Sequence, residues 1–132
     1  MAYTPDPSAA KLDTANVAKD VIVGQRLVKT ASNTIPASAS NATTLDCSKG
    51  DVWSYTPTEA TTITPINLAP GQRITIHFLT SGTSSYTVTF GSPFKTTGTL
   101  ATGTSDAKYF AVSFTCNSAG TLLIEDSRTT AM

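Results

Sequence analysis

Arg73-Ile74-Thr75-Ile76-His77-Phe78-Leu79-Thr80 is followed, after a short turn, by Ser85-Tyr86-Thr87-Val88-Thr89-Phe90. These two runs decide the fold. Ile74, Ile76 and Phe78 recur at every second position, and so do Tyr86, Val88 and Phe90, with Thr87 and Thr89 between them. A period of two places each set on one face of an extended strand. Ser81-Gly82-Thr83-Ser84 supplies the turn, so the pair is expected to form a β-hairpin.

The same pattern extends in both directions. Upstream, Leu45 and Cys47 alternate with polar residues, and Lys49-Gly50-Asp51 makes a turn. Val52-Trp53-Ser54-Tyr55 reads as a strand stopped near Pro57, and residues 61–66 as another, with Ile63 and also Ile66 as core candidates. Ala69-Pro70-Gly71-Gln72 is a strong turn signal, because Pro presets φ and Gly supplies positive φ. Downstream, residues 91–105 carry Pro93, Gly98 and Gly103 and read as a long loop pinned by Phe94 and Leu100. Residues 107–116 alternate again, with Phe110, Val112, Phe114 and Cys116 facing in. Asn117-Ser118-Ala119-Gly120 turns the chain into a closing strand at 121–126, and 127–132 is a polar tail. Short strands separated by turn signals, with no helix between them, predict an all-β fold: a single antiparallel β-sandwich, jelly-roll-like, over residues 34–132, with its strand core at about 43–127.

The 132 residues suit one domain. Charged residues make up 14% of the chain, against roughly 25% in ordinary soluble domains. Hydroxyls replace them: there are 25 Thr and 14 Ser. Thr is β-branched and suits a pleated, half-buried surface. The net charge is formally +0 and the basic residues are scattered, which argues against nucleic acid as the main partner. A near-neutral surface also permits close packing beside sister copies. No apolar run is long enough to span a membrane, and no secretory leader pattern is visible.

Residues 1–33 read differently, as an extended N-terminal arm. Pro5 and Pro7 favour extended backbone at its start. Residues 9–20 could form at most a weak helical turn or two. Val21-Ile22-Val23-Gly24-Gln25-Arg26-Leu27-Val28 then gives two short strand-like runs split by a glycine. Residues 31–41, around Pro36, read as a linker or loop. A segment with apolar residues and no core of its own docks on something, so Val21, Ile22, Val23, Leu27 and Val28 are the candidate partner-binding residues.

Nothing in the sequence rises to an active site, and no cofactor or metal is expected. Cys47 and Cys116 read as small apolar core residues, with a disulfide as the alternative. His77 is the lone histidine and points away from Ile74, Ile76 and Phe78, as an ordinary surface residue does. Glu125-Asp126 is the one adjacent pair of acids, a weak candidate for a cation. Trp53, Tyr55, Tyr86 and Phe94 read as core aromatics, with a sugar groove as the alternative. The expectation is a binding or structural protein and not an enzyme.

Four pieces of the chain carry a resemblance: Leu45-Asp46, Gly50-Asp51-Val52-Trp53-Ser54-Tyr55, Pro70-Gly71-Gln72-Arg73-Ile74-Thr75-Ile76 and Thr87-Val88-Thr89-Phe90-Gly91-Ser92-Pro93-Phe94-Lys95. Residues 43–127 resemble a β-sandwich module of tailed-bacteriophage virion proteins, found on fibre tips and as capsid decoration (cement) proteins. The chain lacks the aromatic pair with which such modules often end; Leu122-Leu123-Ile124-Glu125 stands there. With no fibre shaft ahead of the module, the resemblance implies a decoration protein on the outer surface of the phage head, assembled in the host cytoplasm. Its partners would be the major capsid protein and sister copies, as a homo-oligomer such as a trimer or dimer. The alternative it implies is a tail or fibre module that recognises a host glycan.

Overall fold

The structure, a computed structural model, describes residues 32–132. These residues are all-β, with ten strands in two sheets. In chain order the strands are β1 (Ser32–Thr34), β2 (Ala42–Asp46), β3 (Val52–Tyr55), β4 (Thr61–Ile66), β5 (Arg73–Leu79), β6 (Thr87–Phe90), β7 (Phe94–Lys95), β8 (Leu100–Ala101), β9 (Tyr109–Cys116) and β10 (Leu123–Arg128). One sheet has the order β1-β3-β5-β9-β10-β7 and the other β2-β4-β6-β8. Both sheets contribute to one core, with Trp53, Ile74, Ile76, Phe78, Val112 and Phe114 from the first and Leu45, Ile63 and Val88 from the second.

The connectivity departs from the antiparallel sandwich expected. Up to β6 the chain crosses to the other sheet after every strand. Odd-numbered strands therefore meet odd-numbered strands, and even meet even, all running the same way. β1–β3, β3–β5, β2–β4 and β4–β6 are parallel, as is β7–β10. Only β5–β9, β9–β10 and β6–β8 are antiparallel. Parallel neighbours need a crossover connection, commonly a helix. Here the crossover is a strand of the opposite sheet.

The expected hairpin is the clearest casualty. β5 lies in the six-stranded sheet and β6 in the four-stranded one, so the 80–86 turn arches across the core instead of folding back. Alternation specifies which face of a strand is buried, and says nothing about its hydrogen-bonded neighbour. Thr80, buried at the start of this arch, fixes it to the β8–β9 connection. Its hydroxyl donates to Ser105 O at 2.7 Å and accepts from Lys108 N–H at 2.9 Å.

Other expectations hold at the level of the face. Ile74, Ile76, Phe78, Val88, Phe110, Val112, Phe114 and Cys116 are buried, as are Phe94 and Leu100. Phe94 and Leu100 sit on two-residue strands, β7 and β8, within the stretch expected to be loop. The 31–41 stretch is not all linker, since β1 pairs with β3 and Ile35 is fully buried. β1 also begins inside the segment expected to be the arm.

Ile63 and Ile66 lie on the same strand with opposite fates: Ile63 is 0% exposed and Ile66 43%. Ile63→Ala is expected to cost about 2–5 kcal/mol and Ile66→Ala within about 0.5 kcal/mol of zero. Urea denaturation of both variants checks this, and equal costs would contradict the inward face of β4.

Candidate functional site

The broadest surface built from regular structure is the outer face of the six-stranded sheet. Period-two backbone turns Val52 and Ser54 of β3 outward, with Arg73, Thr75, His77 and Leu79 of β5 and Tyr109, Ala111, Ser113 and Thr115 of β9. The register sets these side by side: Val52 with Thr75, Ser54 with His77, Thr75 with Ser113, His77 with Ala111 and Leu79 with Tyr109. Hydroxyls pair across the strands, Thr34 with Ser54 at 3.3 Å and Thr75 with Ser113 at 3.1 Å. His77, Tyr109, Phe110, Ala111 and Met132 line a shallow, mostly apolar groove of about 200 Å³ at one end of this face. The C-terminal residues build one wall, because Tyr109 and Met132 exchange backbone hydrogen bonds at 3.1 and 3.0 Å. Tyr109 is 53% exposed and Met132 64%.

His77 is exposed on the outer face, as expected. Trp53, Tyr55 and Phe94 are core residues. Cys47 and Cys116 are buried free thiols. Burial, with Asp46, Cys116 and Asp51 adding to it, pushes the Cys47 thiol up to about 12, and burial raises Cys116 too. A thiol held protonated is a poor nucleophile. Val21, Ile22, Val23, Leu27 and Val28 lie outside the described residues. Among the described residues no three His, Cys, Asp or Glu side chains are grouped to hold a metal ion, and no helix is long and apolar enough to cross a membrane.

The adjacent acids Glu125 and Asp126 are drawn apart. A register shift between Glu125 and Ser127 bends β10 there. Asp126 accepts a short hydrogen bond from the Thr115 hydroxyl and lies 3.9 Å from Arg73. Glu125, its side chain 5% exposed, takes Arg128 instead, through Nε at 2.9 Å and Nη2 at 3.0 Å. Glu125 also accepts Thr97 N–H at 3.0 Å, while Arg128 donates to Thr99 O and Gly98 O and lies 5.5 Å from the centre of the Phe90 ring. This cluster ties the β7–β8 turn to β10. Sequence reasoning missed it, because a three-residue spacing on a strand does not bring side chains together without a bulge.

Two further polar devices coincide with residues that carry the sequence resemblance. Gln72, 6% exposed, donates through Nε2 to Cys47 O at 2.7 Å and to Asp51 Oδ1 at 2.8 Å. Asp51 O in turn accepts Thr75 N–H at 2.8 Å. The turns before β3 and β5 are thereby locked together. Gly91 N–H donates to Ile63 O at 2.8 Å, and a Cβ at Gly91 would stand 3.0 Å from Thr64 Oγ1 and 3.2 Å from that carbonyl. A side chain at Gly91 would require β4 to give way by a few tenths of an ångström.

No protein-family model matches the chain, and no curated protein sequence matches it.

The Glu125 carboxyl has a pH signature. Burial pushes it up, but the Arg128 hydrogen bonds, Thr97 N–H and the Arg128 charge outweigh burial and hold it below the ordinary glutamate value. A carboxyl depressed in the folded state stabilises the fold above its unfolded value of about 4.3, and that contribution is lost as pH falls through the folded value. Glu125→Ala is expected to cost about 2 kcal/mol at pH 7, and the gap to the parent protein should narrow below about pH 4. Thermal denaturation across pH checks this; a gap independent of pH would contradict the role of the ion pair.

Proposed function

We propose that the chain is a virion structural protein, a decoration protein on the outer surface of a bacteriophage head. What supports the reading is that Asp51, Gln72 and Gly91, all within the motifs that resemble phage virion modules, do specific structural work. Asp51 and Gln72 lock two turns, and Gly91 permits a close backbone approach. Residues so placed support reading the resemblance as more than Thr-rich strand composition.

The function is mechanical. The β domain is a preorganised body whose two sheets and turns are tied by buried hydrogen bonds, so little ordering entropy is lost when it docks. Its outer face offers hydroxyl pairs and exposed Val52, Tyr109, Ile124 and Met132 with few charges to desolvate. Apolar burial against head subunits or sister copies stabilises each contact by roughly 25 cal/mol per Å². Residues ahead of the β domain supply a second contact, and many copies on one head act together through avidity.

Co-sedimentation with purified heads of the parent phage tests the proposal. Saturable binding is expected, weakened when residues 1–30 are removed. Binding to host glycans with none to heads would contradict it.

A further inference from the structure

β2 is the edge strand of its sheet, and β1 is an edge strand of the other. In a parallel ladder alternate residues bond to alternate sides. Cys47 N–H donates to Ile66 O at 3.0 Å and Asn41 O accepts Thr62 N–H at 2.9 Å, so the odd-numbered residues of β2 face β4. The even-numbered ones face away from it. There Ala42 exchanges two hydrogen bonds with Ala39, and Asp46 O accepts Lys49 N–H. Between these closures Thr44, which is exposed, offers one backbone donor and one acceptor, and none of the described residues takes either. An open rung of this kind is a template for one more strand.

A notch accompanies the rung. A cavity of about 120 Å³ is lined by Asn33 and Thr34 of β1 and by Thr44 and Asp46 of β2, with Pro36, Lys49 and the core residue Trp53 completing it. Strand addition uses both features: main-chain hydrogen bonds hold the incoming backbone, and a pocket accepts an alternate side chain. The notch has room for a side chain of valine or threonine size. Lys49 and Asp46, 4.0 Å apart, leave its lining without net charge, so an uncharged segment fits. The closures at either end of the rung select the occupant further. The Ala39–Ala42 bridge and the Asp46–Lys49 turn already fill the free side of β2 above and below Thr44. A second β2 laid against this one would bring its own two closures into the same space. A bare extended segment brings none.

We propose that β2 takes an extended, uncharged segment of a head subunit as an added strand, bonded through the Thr44 backbone and placing one small side chain in the notch. This rests on the decoration reading and names a surface of the β domain that makes the contact. One rung is a weak hold by itself, and many copies on one head multiply it.

Amide hydrogen exchange and co-sedimentation of the full chain with purified heads test it. In the free chain, NMR should show Thr44 N–H exchanging within about tenfold of an unstructured peptide. On heads, exchange of residues 42–46 should slow, read by mass spectrometry. Thr44→Pro removes the outward N–H and spares the β2–β4 ladder, since proline is tolerated where an edge N–H faces solvent. It should weaken head binding about tenfold, while Thr44→Val, which keeps the N–H, leaves binding unchanged; protected β5 amides show that each variant is folded. Equal binding by a folded Thr44→Pro protein, or unchanged exchange of 42–46 on heads, would overturn the proposal and leave the decoration reading standing. Thr44 protected in the free chain would overturn it too: protection that persists on dilution puts the chain's own residues on the edge, and protection lost on dilution puts a second copy there. No binding of the unaltered chain to heads would remove the decoration reading and this proposal with it.

Discussion

An aromatic row through the core holds the two sheets in one structure. Tyr55 and Phe78 meet edge to face at 6.1 Å within the six-stranded sheet. Phe78 meets Phe90, of the other sheet, at 6.2 Å, and Phe90 returns the row to Phe94 at 5.3 Å and Phe114 at 5.5 Å. Such ring contacts, three edge to face and one tilted, add about 0.5–1.5 kcal/mol each beyond burial. Neither sheet can cover its own inner face. Each inward side chain is dry only because strands of the opposite sheet lie over it, and that mutual cover is the constraint the chain satisfies by crossing over after each early strand.

The alternating path has consequences at the margins. Crossing turns must be short and well satisfied, because each spans the edge of the core. Asp51 and Gln72 serve two of them, and the Thr80 hydroxyl serves a third. The later strands close the assembly differently. β9 and β10 run antiparallel across the end of the first sheet, and the Glu125–Arg128 pair fastens the β7–β8 turn beside them. The outer faces are left polar by hydroxyl groups and only sparingly charged.

Much of the inward face was legible from sequence. Period-two patterning in 73–79, 87–90 and 109–116 marked the buried residues correctly, because one-sided burial imposes that pattern whatever the neighbour. The same logic explains what was not legible. Ile74, Ile76 and Phe78 read identically in a hairpin or in a parallel coil, so a turn rich in Ser and Gly reads as a fold-back where the chain arches over. Ile35 stood alone beside Pro36 with no alternation to mark it, and β7 and β8 are too short to show a period. Glu125 and Arg128 meet only because β10 bulges between them, and a bulge leaves no composition signal here. The hydroxyl-lined face followed from the Thr and Ser content, whereas the groove at Tyr109 and Met132 depends on how the last residues pair with β9, which no local pattern announced.

The central claim is that the strands coil in alternation between two sheets around one core. Backbone nuclear Overhauser contacts test it most directly. The account predicts cross-strand contacts of parallel type joining Trp53 to Ile76 and Thr62 to Thr89, with none between the backbones of β5 and β6. Close Hα–Hα contacts between residues of 73–79 and 87–90, the mark of an antiparallel hairpin, would contradict it.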